Sequence, residues 1–348
     1  MRVNGPCTKK YFSRFMIGGL AAFVLQLSPV LAAAEPIKLK VADWLPGNNH
    51  VSLHGTIPWL DDLKSRLSGE IVIEYYPAEQ LGKARDMVTL AQNGVADIVH
   101  ISPAYISEKF PLTGVAELPG MFDKTCNAAA RLMQLSRPGE LLHENEFKPQ
   151  GLRVLWAATL PPYSIVTTRR PVETLSDLRG LKLRTAGGAM DITASLTGAV
   201  PIKLTGPDVL PSLQRGTLDG MFAPLVSLQP FDWHTALGYM TTNVGMASFV
   251  HILAISEQTW QKLPASTQEV LTSASDVAWQ RLCEWEDNAT PEVIKELKAT
   301  GMTQVLLKAE DEAKLEEIFT KTRERWAASL DKQGKPGTET LGAFTNNL

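Results

Sequence analysis

Arg184 is the side chain in this sequence best placed to bind something. It closes the strand-like run Leu181-Lys182-Leu183-Arg184, and Gly187-Gly188 follow it before a helical stretch. A guanidinium at a strand end, beside amides at a helix start, offers a planar fork of donors that suits a carboxylate. Spacing alone also allows half of an ordinary surface ion pair. Gly187-Gly188 is not a nucleotide loop, because G-x-G-x-x-G and its acidic partner are missing. His50 and His54 have the spacing of a zinc-binding pair, but without a third ligand the expectation is two solvated histidines. Cys126 and Cys283 show no CxxC pattern; a disulfide is open to an exported chain, and two buried free thiols require only packing. No G-x-S-x-G, Walker A or H-E-x-x-H motif is present, since His143-Glu144 runs into Asn145-Glu146-Phe147. The residues therefore indicate no enzyme, metal centre or cofactor.

The elements that must position Arg184 alternate in period. Ile37–Val41 and Glu70–Tyr76 read as strands, flanking a helix on which Ile57, Leu60, Leu63 and Leu67 share a face. A helix through Met87, Leu90 and Ala91 ends at Gly94, and 96–101 reads as a buried strand. Strands are also expected at 151–156, 164–168, 181–184, 200–204 and 218–221, with helices near 190–197 and 207–215. Strands alternating with helices imply α/β architecture with largely parallel sheets. Ser266–Leu297, interrupted only by Pro291, and the face Leu315, Ile318, Phe319, Thr322, Trp326 make the last part helical.

The chain has 348 residues, 44% hydrophobic and 20% charged, with 25 Gly and 22 Pro dispersed along it. That excludes collagen, low-complexity disorder and disulfide miniproteins, and suits two domains. Arg2, Lys9, Lys10 and Arg14 precede an apolar run, Phe15–Leu27, and Ala32-Ala33-Ala34 offers a cleavage site, so residues 1–34 read as a secretory signal peptide. Cys7 precedes the apolar run and cannot be a lipoprotein cysteine. The net charge is −3, and removal of residues 1–34 takes away four cations and no acid. Such a chain has no electrostatic footprint for nucleic acid.

Three runs carry a resemblance: Leu178-Arg179-Gly180-Leu181-Lys182-Leu183-Arg184, Gly198-Ala199-Val200-Pro201, and Leu213-Gln214-Arg215-Gly216-Thr217-Leu218-Asp219-Gly220. With Tyr76-Pro77-Ala78-Glu79-Gln80-Leu81-Gly82, Gln92–Asp97, Phe110-Pro111, Glu117-Leu118-Pro119 and Trp260–Pro264, they closely resemble the DctP family of TRAP transporter substrate-binding proteins, in the family's order. The resemblance implies a two-lobed periplasmic binding protein of the type II-like class, with a hinge, central mixed sheets and a long lobe-bridging helix. Lobe I is expected at 35–157 with 249–265, lobe II at 158–248, and the helical part at 266–348. It implies a periplasmic monomer that captures an organic anion and delivers it to the membrane permease subunits of a TRAP transporter; the alternatives are a receptor serving another importer or a sensor kinase, and a secreted hydrolase or lyase acting on a carboxylate.

In the family the arginine ending L-K-L-R holds the ligand carboxylate, and Arg184 occupies that position. This chain departs from the pattern elsewhere. Ser164, beside Tyr163, stands where many members have a second arginine, and Ala223 where they have asparagine before proline. Trp44, Ala84 and Ser102 replace further polar positions of the sugar-acid pocket. These changes remove charge and add aromatic surface, so the expected ligand is a monocarboxylate with an apolar or aromatic body. The expected ligand-binding residues are Arg184, Trp44, Tyr163, Ser164, Ser102, Gln80, Phe222 and Ala223, with Phe231 as a further wall.

Overall fold

The computed structural model describes Thr8 and residues 35–346; the expected signal segment and its cleavage site lie outside the described residues. Residues 36–346 lie in one compact unit. Its strands are β1 (Ile37–Ala42), β2 (Ile71–Tyr76), β3 (Ile98–Ile101), β4 (Leu152–Thr159), β5 (Ser164–Thr167), β6 (Lys182–Thr185), β7 (Val200–Lys203), β8 (Gly220–Ala223), β9 (Tyr239–Thr241), β10 (Val250–Ser256) and β11 (Thr303–Val305). Its helices are α1 (Ile57–Arg66), α2 (Met87–Gln92), α3 (Thr125–Leu135), α4 (Ala189–Leu196), α5 (Gly206–Gln214), α6 (Glu257–Trp260), α7 (Ala265–Ala299), α8 (Ala309–Asp331) and α9 (Gly337–Thr345).

Periodicity builds these elements. In β1 the exposed Lys38 and Lys40 alternate with the buried Leu39 and Val41. Pro58 in its first turn suits the start of α1, which buries Trp59, Leu60 and Leu63. Gly69, at φ 83°, then turns the chain into β2.

The strands form two mixed sheets, as the resemblance implies for a two-lobed fold. The first has the order β2-β1-β3-β10-β4, with β1 parallel to β2 and β3, and β10 antiparallel to β3 and β4. The second has the order β11-β9-β5-β8-β6-β7; β6 is parallel to β7 and β8, and β5 is antiparallel to β8 and β9. Close packing within the second sheet explains Gly220, where a Cβ would fall on the carbonyl of Val166. At 1.5 Å per residue α7 is about 50 Å long. It packs on α1, α3 and β4 beside the first sheet, and on the 225–227 turn and β11 beside the second. Pro291 is accommodated inside it.

Several boundaries move for local reasons. β3 begins at Ile98, because the Asp97 carboxylate turns aside to accept the Lys40 amide (2.9 Å). β8 begins at Gly220, because the Asp219 carboxylate accepts the Lys182 amide (2.8 Å). Two expectations about side chains are corrected. Cys126 and Cys283 are not free thiols: α3 packs on α7, brings their Cα atoms to 4.9 Å, and the two are bonded. His50 is not solvated; it is buried, stacked on Trp285 (5.3 Å) and 3.4 Å from the buried Glu286. Burial, with His54 nearby, lowers its pKa to about 3.

Glu117 is buried where the 113–117 turn meets β10, and it accepts the Val250 amide (3.1 Å). Burial pushes its pKa from the ordinary 4.5 up to about 8. A folded value above the unfolded one gives stability that is complete below about 4.5 and is lost as pH rises towards 8. Glu146, raised by burial to about 7, acts in the same direction. Thermal melts between about pH 5 and 8 should therefore decline less steeply in Glu117→Gln than in the parent. Identical slopes would contradict the assignment.

Candidate ligand site

The site lies where loops leave the carboxyl ends of parallel strands, the position at which α/β sheets bind ligands. Asp43 and Trp44 follow β1, Ser102 follows β3, Arg184 is at the end of β6, and Gly206 follows β7. The first of these loops is braced by residues 78 and 79, both non-glycine at positive φ (53° and 60°). Their amides bond the carbonyls of Leu45 (2.8 Å) and Asp43 (3.2 Å).

Arg184 is only 2% exposed. Its Nε donates to the Leu204 carbonyl (3.0 Å), Nη2 lies 3.4 Å from the Tyr105 hydroxyl, and the guanidinium is 5.8 Å from the Trp233 ring centre. Among the described residues no carboxylate pairs with it. Tyr105 also accepts the Gly206 amide (2.8 Å). Burial raises the pKa of the Tyr105 and Tyr163 hydroxyls, and Arg184 pulls both the other way. A cation surrounded by neutral groups is a site for an anion.

Aromatic rings surround it. Trp233 stacks on Phe231 (4.6 Å), Phe231 on Trp44 (6.3 Å) and Trp44 on His251 (5.8 Å), all within 17° of parallel. Tyr105 packs on Phe249 (5.1 Å). A Cβ on Gly206 would touch Trp44, Tyr105 and Phe231, each at 3.4 Å, so the residue there has to be small. Trp44 Nε1 and Ser102 Oγ are buried without a hydrogen-bond partner. Behind Trp44, Asp43, His100 and His251 form a buried chain of polar contacts.

The register decides which expected residues join Arg184. Arg184 is opposite Met221 and Ser164 is opposite Ala223, so the pleat sets all four on one face of the second sheet. Ser164 and Ala223 are buried and bring no charge. Phe222 is turned to the opposite face, where it shares a buried cluster with Ile165 and Leu183; the structure does not bring it to Arg184. Ala84 is buried, whereas Gln80 is exposed in the turn after β2 and, among the described residues, its side chain makes no hydrogen bond to this group. Sequence reasoning missed Tyr105, Trp233, Phe249, His100 and His251. Position gave a signal only for Tyr105, which comes shortly after the buried strand β3; His100 and His251 lie within β3 and β10, Phe249 precedes β10, and Trp233 is ten residues past β8.

Residues 44–329 match the family model described as bacterial extracellular solute-binding protein, family 7, or DctP. A solute-binding protein of Roseobacter denitrificans is 26% identical over 296 residues, covering 83% of this chain and 88% of the relative. A TRAP periplasmic solute binding protein of Bordetella bronchiseptica, solved with bound mandelate, superposes with a TM-score of 0.80 at 23% identity, over 90% of this chain and 98% of that one. A marine metagenome TRAP protein specific for aromatic acid ligands, solved with 3-hydroxybenzoate, gives 0.82 at 21%, over 90% and 98%. These relatives are solute-binding proteins. With its two mixed sheets, its bridging helix and a family match over most of its length, this chain belongs to the DctP family of TRAP transporter solute-binding proteins.

Proposed function

We propose that the protein captures an organic monocarboxylate with an apolar or aromatic body between its lobes, anchored by Arg184, and delivers it to the permease subunits of a TRAP transporter. One observation carries this reading: a guanidinium taken out of water without a counter-charge. Leaving such a charge unpaired is costly, and a ligand carboxylate across the fork removes that cost. Trp44, Tyr163, Phe231 and the neutral pair Ser164 and Ala223 then face the ligand body, and Ser102 adds a hydroxyl. A second ligand carboxylate would find no second cation there. The aromatic acids bound by two structural relatives agree with this class. Residues 1–34 serve as the export signal, and lobes at 35–157 with 249–265 and at 158–248 hinge where the chain passes between the sheets.

A thermal-shift screen over organic acids tests this. Free ligand at about 100 times its dissociation constant should add about 2.7 kcal/mol of stability, and small-angle scattering should show a more compact particle. Tight binding without compaction would rule out the hinge. In competition, a benzoate-like or branched 2-oxo acid should outcompete succinate, malate and sialic acid by at least about tenfold, or 1.4 kcal/mol. A dicarboxylate or sugar acid as the tightest ligand would refute the ligand class.

A further inference from the structure

His251 is the one histidine in the aromatic row beside Arg184, edge-on to Phe249 (5.1 Å) and stacked on Trp44. Its Nδ1 lies 2.9 Å from His100 Nε2, and His100 Nδ1 lies 3.1 Å from Asp43 Oδ1. Asp43 also accepts the Leu45 amide (2.8 Å) and the Tyr75 hydroxyl (3.0 Å). The Asp43–His100 contact is bent away from regular hydrogen-bond geometry. Even so, a carboxylate oxygen 3.1 Å away attracts an N–H and repels a lone pair, so a neutral His100 carries its proton on Nδ1. His100 Nε2 is then bare and can only accept, which places the His251 proton on Nδ1. With both rings neutral, one tautomer satisfies both contacts, and it leaves His251 Nε2 as a lone pair. Among the described residues nothing bonds to that nitrogen, and unlike Trp44 Nε1 and Ser102 Oγ it is not wholly enclosed.

The surroundings keep the ring uncharged. Burial lowers the pKa of His251 well below the ordinary value, and the imidazoles of His100 and His50 lower it further. Asp43, the nearby anion, is separated from it by the His100 ring.

We propose that His251 reads the ligand body through this bare Nε2, whose polarity the Asp43–His100 chain fixes, so that the receptor prefers carboxylates carrying a hydroxyl or N–H donor. The proposal rests on Arg184 as the carboxylate anchor. Arg184 and His251 then form the two poles of the site, one taking only an acceptor and the other only a donor. A second carboxylate at the His251 end would meet a lone pair and be repelled.

Calorimetric titration of the exported protein with benzoate, the three hydroxybenzoates, mandelate and the corresponding methyl ethers provides the test. At least one hydroxy acid should bind roughly three- to tenfold tighter than both its parent and its ether, the size of one neutral hydrogen bond. In His251→Phe the hydroxyl-to-ether ratio should fall to about one, and His251→Gln, which keeps an acceptor, should restore part of it. Ring-15N NMR reads the tautomer without any ligand; an imidazolium, or a proton on Nε2, at neutral pH overturns the proposal even if His251→Phe fails to fold. Binding that depends on Arg184 but ignores the hydroxyl also overturns it and leaves the anchor standing. Acid binding that is indifferent to Arg184→Ala instead strikes the anchor.

Discussion

Arg184→Ala should abolish practical ligand binding, with a loss of about 2–5 kcal/mol, or roughly thirty-fold to several thousand-fold in affinity. The ligand carboxylate would enter a buried site and find only neutral groups there. Arg184→Lys should recover little, because one ammonium cannot reach the Leu204 carbonyl and the Tyr105 hydroxyl and still present a fork to the ligand. Stability separates this role from a structural one. Arg184 has no carboxylate partner to strand among the described residues, so the ligand-free variant should lose no more stability than its hydrogen bond to the Leu204 carbonyl supplies, and its melting point should not respond to added organic acids. Titration calorimetry on a folded Arg184→Ala protein that kept native affinity would end the assignment.

Replacing Cys126 and Cys283 together by alanine should cost about 2–5 kcal/mol, because the bond closes a loop with a sequence separation of 157 residues in the unfolded chain. For a chain of this size that lowers the melting temperature by on the order of 3–8 °C. The contact between α3 and α7 should persist, since the Thr125 amide and hydroxyl both reach Asp287 Oδ1, at 2.6 and 2.8 Å. Ligand affinity should therefore survive the substitution at low temperature, because the bond lies outside the group around Arg184. Thiol titration of the unfolded, unreduced exported protein should detect neither cysteine. Two reactive thiols would show that the pair is not joined.

The alternation of strand and helix was legible because burial imposes a period of 2 on a strand and 3.6 on a helix, and both are local properties of the chain. The same locality made Arg184 recognisable: a four-residue strand followed by two glycines fixes where its last side chains emerge. The charge lost at Ser164 and the hydrogen-bonding amide lost at Ala223 were equally visible, since an absent side chain needs no geometry. Pleat parity was not. Whether Phe222 or Ala223 shares a face with Arg184 depends on β6 pairing Arg184 with Met221, and a shift of one residue would exchange them. The disulfide, the burial of His50 against α7 and the approach of His100 to His251 across 151 residues likewise depend on packing between distant elements. Sequence by itself determined the order of elements, the cation proposed as the anchor and the loss of polar side chains beside it. Only the tertiary structure decided which of those residues meet, because contacts between distant segments are set by register and helix packing, to which no local period refers.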